Sequence, residues 1–266
     1  LTQRMKTILE KLYTEQGDEV RYFIKLNDEK VCLNDFIGQQ ITMQYLGKIV
    51  CSTCSKITDK SFGQGFCYTC FNEAPEASPC IIHPELCEAH LGKGRDVDYE
   101  ERYHNQTHLV YFAATDKVKV GITRNTQIPT RWIDQGAHEA IEILEAPNRY
   151  LAGITEVALK DHVADKTNWR KMLTGQTQDE DLATVRDQLK QYIPQEALPY
   201  FLDQSKEQHM DFPVSQYPEK VQSTNLGKTP SFSGMLSGIK GQYLIFEDQR
   251  VFNVRSHEGY IVKLSF

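Results

Sequence analysis

The 266-residue sequence has neither a long apolar stretch nor an excess of positive charge. It contains no run of about 18 apolar residues, so we expect no segment that spans a membrane. Residues 1–12 mix charged and apolar side chains, which predicts an amphipathic helix and lacks the apolar block of a signal peptide. These two absences favour the cytoplasm as the compartment of the protein.

A net charge of −6 excludes a protein that coats nucleic acid through a strongly basic surface. Only residues 109–173 lean positive, with nine basic and eight acidic side chains. Any contact with DNA or RNA is therefore expected to be local. The apolar fraction of 40% is that of an ordinary globular protein.

Apolar and polar residues alternate near both ends of the sequence. Residues 20–26 and 30–33 alternate around Asn27-Asp28-Glu29, which predicts a hairpin, and 41–50 is a further candidate strand. Because a few strands alone are only marginally stable in water, we expect both ends to pair into one small β domain. Strand patterns in the tail lie at 242–246, 251–255 and 260–266.

These patterns predict an α+β protein with five segments. The middle of the chain carries two short apolar runs, 109–114 and 119–122, and then helical patterns at about 128–138 and 151–164. The predicted segments are a helix and strands of the β domain (1–50), a zinc-ribbon-like insert (51–108), a central α/β unit (109–173), a helical segment with a linker (174–232), and strands completing the β domain (233–266).

Four of the seven cysteines form two Cys-x-x-Cys pairs, Cys51/Cys54 and Cys67/Cys70. In a reducing compartment this spacing favours metal over disulfides, and two such pairs supply the four sulfurs of a tetrahedral Zn²⁺ site. Gly63-Gln64-Gly65 between the pairs allows a sharp chain reversal. Since four thiolates fill the coordination sphere, this zinc is expected to be structural; the alternative is free or redox-paired cysteines.

A second and weaker set of candidate ligands follows. It comprises Cys80, Cys87 and His90, with His104 favoured as the fourth ligand and His83 or His108 as alternatives. Three ligands with a water would form a catalytic zinc site instead. In the simplest alternative, the cysteines are buried apolar residues and the histidines lie at the surface. One or two structural zinc ions are thus expected.

The central unit carries a series of short motifs over about 65 residues. They are Leu109-Val110-Tyr111, Lys119-Val120-Gly121-Ile122-Thr123, Arg131, Glu156 and Asn168. This series resembles the GIY-YIG nuclease superfamily, and the resemblance implies phosphodiester hydrolysis with Mg²⁺ or Mn²⁺. In this sequence Lys119 replaces the second-motif tyrosine, and Arg124 competes with Arg131 for the position of the motif arginine.

Each of these residues has a chemical role and a simpler alternative. Glu156 could hold Mg²⁺, Arg131 could clamp a phosphate with two parallel hydrogen bonds, and Lys119 could bind phosphate or act as a base. By resemblance, Tyr111 would activate water or bind the phosphate, and Asn168 would orient the Glu156 region. Alternatively they are a strand tyrosine, surface charges and a helix cap.

Four further motifs accompany the cysteine pairs along the chain. They are Pro84-Glu85-Leu86-Cys87, Val118-Lys119-Val120-Gly121-Ile122-Thr123-Arg124, Arg131-Trp132-Ile133-Asp134-Gln135-Gly136-Ala137 and Gly238-Ile239-Lys240-Gly241-Gln242-Tyr243-Leu244. With these motifs, most of the chain resembles the domain-of-unknown-function 2797 family, which implies no established activity.

Three functions are compatible with the sequence. The first is a metal-dependent nuclease acting on DNA or RNA, and the second is a non-catalytic nucleic-acid-binding or ribosome-associated zinc protein. The third is a protein-interaction scaffold. The order of the Tyr111, Arg131 and Glu156 motifs favours the nuclease.

Overall fold

The structure, a computed structural model, describes residues 4–163, 167–177 and 180–266. The helices in these ranges are α1 (Tyr68–Glu73), α2 (Val97–Tyr103), α3 (Thr130–Asp134), α4 (Arg149–Lys160), α5 (Trp169–Leu173) and α6 (Leu182–Leu189). The strands are β1 (Arg4–Ile8), β2 (Tyr13–Glu15), β3 (Arg21–Leu26), β4 (Glu29–Cys32), β5 (Gln40–Val50), β6 (Ile57–Thr58), β7 (His108–Ala114), β8 (Val118–Arg124), β9 (Glu139–Ala146), β10 (Gln208–His209), β11 (Gln222–Thr224), β12 (Ser231–Lys240), β13 (Tyr243–Phe246), β14 (Arg250–Asn253) and β15 (Tyr260–Ser265).

These elements form an α+β fold that divides into two compact units. Unit 1 comprises the chain up to Asn72 together with Leu173–Gly175 and Asp211–Phe266, and unit 2 comprises Glu73–Met172 and Gln176–Met210. Within the described ranges, we find no helix with the length and apolar character needed to cross a membrane.

Unit 1 is built on an eight-stranded sheet in the order β1-β15-β5-β12-β13-β14-β11, with β6 paired to β5. The antiparallel pairing of β1 with β15 places strands from both ends of the chain side by side. Strands β2, β3 and β4 form a separate sheet. It contains the predicted hairpin, in which Leu26 faces Glu29 and Asn27 adopts a φ of 57° in the turn. The hairpin prediction is therefore confirmed.

The helix predicted at the start of the chain is wrong, because Arg4–Ile8 is strand β1. Thr7 and Leu9 are buried, whereas Lys6 and Ile8 are exposed. This two-residue alternation of burial is that of a strand with one covered face. Over so few residues, mixed charged and apolar side chains fit a helix or a strand, and pairing with β15 decides between them.

The sequence also failed to reveal β12, part of which lies in the predicted linker. Its glycines lower the apparent strand propensity, yet tight packing requires them. A Cβ on Gly238 would lie 2.6 Å from the Cα of Val214, and one on Gly234 would lie 2.8 Å from the Phe246 ring. The strand therefore depends on neighbouring chain segments that approach its backbone closely.

Unit 2 contains an antiparallel four-stranded sheet in the order β10-β9-β7-β8. The predicted apolar runs become β7 and β8, and the predicted second helix becomes α4, which starts after the N-cap residue Asn148. The first predicted helix, at about 128–138, corresponds to the shorter helix α3. Strand β9 was not predicted, because its glutamates, Glu139, Glu142 and Glu145, are spaced by three rather than by two. A register shift between Val110 and Tyr111 accommodates the spacing of Glu142 and Glu145.

Candidate functional site

The four sulfurs of the first cysteine group lie together in unit 1. The Sγ atoms of Cys51, Cys54, Cys67 and Cys70 are within 4.8 Å of one another. The Sγ atoms of Cys54 and Cys67 are 3.9 Å apart. With zinc–sulfur bonds of about 2.3 Å, a tetrahedral site places its sulfurs about 3.8 Å apart. The group therefore has the size of a four-thiolate metal site.

The loop between the two cysteine pairs reverses sharply at Gly63-Gln64-Gly65. These residues have φ values of 51°, 70° and 111°, in the range that favours glycine. The reversal lets the backbone N–H of Cys67 donate to Cys51 Sγ over 3.2 Å. Burial alone would raise the pKa of Cys51, but backbone N–H groups lower it to about 6. A thiol that ionises this readily is suited to metal binding.

A second group of candidate ligands lies in unit 2 and consists of Cys80, Cys87, Glu100 and His104. All four side chains are buried, with at most 9% exposure. Nδ1 of His104 is 3.6 Å from Cys80 Sγ and 3.8 Å from Cys87 Sγ, and it also contacts the Glu100 carboxylate. The donor atoms of all four residues are within 4.8 Å of one another.

This second group contains Glu100 where the sequence suggested His90. The ring of His90 stacks on Tyr150 with centroids 4.7 Å apart, and His90 belongs to neither metal-ligand group of the described chain. Helix α2 begins after Asp96, which accepts the N–H of Tyr99. Glu100 and His104 are then four residues apart and share one helix face. A search confined to cysteine and histidine spacing therefore misses Glu100.

Unit 2 also contains a polar cavity of about 330 Å³, which we call the basic cleft. Strand β8 contributes Lys119, helix α3 contributes Arg131 and Gln135 lies just beyond it, and helix α4 contributes Arg149 and Glu156. Among the described residues, the charged groups of its wall are thus three cations and one carboxylate. Such a surface is suited to binding a phosphate group, since cations neutralise the phosphate oxygens.

Burial changes the acid–base behaviour of the cleft. Lys119 is 9% exposed, and this burial, with the nearby Arg131 charge, lowers its pKa to about 8. Burial raises the pKa of Glu156, although Lys160, 3.5 Å away, and Arg149 oppose that change. Perturbed ionisable groups gathered in one cavity are typical of functional sites.

Tyr111 lies behind the wall of the cleft and is fully buried. It faces Gly121 across the β7–β8 ladder, and a Cβ on Gly121 would lie 2.7 Å from the tyrosine hydroxyl. That hydroxyl donates to Gln135 Oε1 over 3.2 Å. Burial raises the pKa of Tyr111, so the hydroxyl stays protonated at neutral pH. This geometry is that of a residue that positions Gln135 rather than one that contacts a ligand.

Asn168 and Arg124 occupy different surroundings. Asn168 is outside the set of described residues that line the cleft, and its Oδ1 accepts the Lys171 N–H at the start of α5. Arg124 lies over the Tyr103 ring, 5.0 Å from its centroid. It lines a second cavity of about 190 Å³ that shares Arg131 and Arg149 with the basic cleft. Arg131 therefore lines both cavities, whereas Arg124 lines only the second.

Arg149 is a cleft residue that the sequence reasoning missed. Its Nε donates to the carbonyl of Cys80 over 2.9 Å and its Nη2 to the carbonyl of Ile81 over 3.0 Å. Arg149 precedes Glu156 by seven residues, which is two helical turns, so both lie on the same face of α4. This spacing was the available signal in the sequence.

Comparison with known families gives one match. Residues 38–262 match the family model described as "Protein of unknown function (DUF2797)". The chain belongs to this family. No curated protein and no solved structure matches it. The DUF2797 family model therefore covers most of the chain but assigns no reaction, and the features that bear on function are the two metal-ligand groups and the basic cleft.

Proposed function

We propose that this DUF2797 protein acts on nucleic acid as a metal-dependent phosphodiester hydrolase, with a GIY-YIG-like site in the basic cleft. One observation supports the proposal above the others: Glu156 lines the same cavity as Lys119, Arg131 and Arg149. A carboxylate beside several cations combines a ligand for a hard divalent metal with groups that bind a phosphate.

Each residue of the cleft would have a separate role in cleavage. The guanidinium groups of Arg131 and Arg149 bind the non-bridging phosphate oxygens, and Lys119 neutralises charge that develops in the transition state. Glu156, whose side chain is 13% exposed, would hold Mg²⁺ or Mn²⁺, a cation that supplies an activated water. Tyr111 would position Gln135, to which its hydroxyl donates a hydrogen bond. The substrate class is a DNA or RNA strand.

The four-cysteine group has a different role in this proposal. Its four thiolates leave no open coordination position, so Zn²⁺ held by Cys51, Cys54, Cys67 and Cys70 would stabilise the loop between β5 and α1. The six residues that follow Cys51 are all exposed, and a loop with so little buried surface needs such a constraint.

The proposal is tested by cleavage of labelled single- and double-stranded DNA and RNA with Mg²⁺ or Mn²⁺. We expect Glu156→Gln to abolish cleavage while leaving the fold intact. Glu145→Gln, at an exposed position in the same unit, is the matched control and should cleave like the unmodified protein. Full cleavage by Glu156→Gln would rule out this mechanism.

A non-catalytic nucleic-acid-binding module is the second candidate. It is favoured by Lys119, which stands in place of the second-motif tyrosine, and by the burial of Tyr111. In this case no polymer would be cleaved, but binding would weaken with salt and Arg131→Ala would reduce it. Arg170→Ala, at an exposed arginine, is the control. Binding that is independent of salt would exclude this candidate.

A further inference from the structure

The second ligand group in unit 2 has the composition of a zinc site, and the distances from its two sulfurs to the imidazole nitrogen are those of one. Two thiolates, an imidazole and a carboxylate are all common zinc ligands. With zinc–sulfur bonds of about 2.3 Å and zinc–nitrogen bonds of about 2.1 Å, a tetrahedral ion separates sulfur from nitrogen by about 3.6 Å. Nδ1 of His104 lies 3.6 and 3.8 Å from the sulfurs of Cys80 and Cys87.

The Glu100 carboxylate is the independent sign that this group binds a cation. The residue is 3% exposed, and the one contact of Oε2 among the described residues that the geometry shows is with Nδ1 of His104, itself a candidate metal ligand. Gly94 leaves the room for this side chain, because a Cβ there would lie 2.2 Å from the Glu100 Cγ. A buried carboxylate beside two thiols is costly unless a positive charge compensates it.

We propose that Cys80, Cys87, Glu100 and His104 form a second, closed zinc site. We further propose that the backbone at and beside these ligands holds the Arg149 guanidinium at the wall of the basic cleft. Four protein ligands leave no position for a substrate, so the site is structural. The site positions Arg149 at the cleft and does not itself take part in the chemistry.

Three hydrogen bonds connect Arg149 with the backbone at and beside the proposed zinc ligands. The side chain donates to the carbonyls of Cys80 and Ile81, and the backbone N–H donates to the carbonyl of His104 over 2.9 Å. Two of these acceptors belong to proposed zinc ligands. Fixing the ligands therefore fixes the acceptors, and with them the direction of the guanidinium. That Arg149 then binds phosphate rests on the proposed function, but the zinc site itself does not.

Metal analysis of the purified full-length protein tests the site. We expect two zinc ions per chain, and one in each of Cys87→Ser, His104→Ala and Cys70→Ser. His90→Ala is the matched control and should retain two. Glu100→Gln preserves the side-chain shape, so it keeps the proposal testable if other variants misfold. It should release its second zinc at a chelator concentration at least about ten-fold lower.

Two metal results would overturn the proposal. One is a protein with a single zinc ion that Cys70→Ser removes. The other is release from Glu100→Gln at the same chelator concentration as from the unmodified protein, together with loss of one zinc from His90→Ala.

The positioning of Arg149 has its own readout, hydrogen exchange of its Nε–H measured by NMR. The resonance is assigned by its loss in Arg149→Lys. We expect slow exchange with zinc bound and at least about ten-fold faster exchange after the second zinc is removed from Glu100→Gln. Unchanged exchange would exclude the positioning role. Neither readout requires nucleic acid, so failure of the cleavage assay would leave this proposal intact.

Discussion

The two metal-ligand groups differ in how the chain brings their donor atoms together. In unit 1, two Cys-x-x-Cys turns supply all four sulfurs, and a glycine-rich reversal joins the turns. In unit 2, a loop supplies two sulfurs, helix α2 supplies Glu100, and the residue that caps its C-terminus supplies His104. The first group is encoded by local spacing. The second depends on a helix that must pack against the loop, and for that reason its carboxylate was not recognised in the sequence.

The largest expected effect is a loss of stability when the buried second group loses one of its side chains. His104→Ala removes the imidazole that contacts the Glu100 carboxylate and leaves that carboxylate buried beside two thiols, which should lower the free energy of unfolding by about 3–5 kcal/mol. Urea unfolding followed by circular dichroism measures the loss. His90→Ala, at an exposed position, should change it by no more than about 0.5 kcal/mol. Equal effects of the two variants would contradict the dependence of unit 2 on this cluster.

A smaller effect tests how closely the second group's loop packs on α4. A Cβ on Gly153 would lie 2.4 Å from the backbone N of Glu85, two residues before Cys87. Gly153→Ala should therefore cost about 1–3 kcal/mol of stability, as overpacking does. Val157→Ala, at an exposed position of the same helix, is the control in the same urea experiment. A neutral Gly153→Ala would mean that the loop does not depend on this contact.

Thiol reactivity compares the groups directly in the native protein. Cys54 is exposed, whereas Cys80 and Cys87 are buried and react only after local opening. We expect iodoacetamide to modify Cys54 at least about ten-fold faster, which corresponds to about 1.4 kcal/mol of opening free energy. Mass spectrometry of peptides over time gives each rate. Similar rates at the three cysteines would remove the distinction between an open and an enclosed group.

The smallest expected effect concerns the charge of the cleft. The lowered pKa of Lys119, about 8, means that its ammonium is charged at pH 7 and mostly neutral at pH 9. Affinity for an oligonucleotide should therefore fall roughly five-fold over this range, or about 1 kcal/mol, the scale of one hydrogen bond. Fluorescence anisotropy measures it.

Two variants control for other titrating groups. Lys119→Arg stays charged and should abolish the pH dependence. Lys117→Gln, at an exposed position in the same hairpin, should preserve it. A pH dependence that survives in Lys119→Arg would assign the titration to another group.

Much of the fold could be predicted wherever local signals were sufficient. The hairpin around Asn27, strands β7 and β8, and helix α4 follow from alternation, turn residues and helical periodicity. Strands β1, β9 and β12 were missed, because partner strands and close packing at glycines override their local sequence. The same division applies to the cleft: Lys119, Arg131 and Glu156 were predicted as site residues from sequence motifs, whereas Arg149 and the place of Gln135 in the cleft were not.

The sequence by itself determined family membership and the four-cysteine group, because both depend on residues in fixed order and spacing. Only the tertiary structure decided that Glu100 joins Cys80, Cys87 and His104, that Tyr111 is buried, and that Arg149 faces the cleft. The physical reason is that burial and convergence of side chains depend on which elements pack together, and local spacing does not specify that packing.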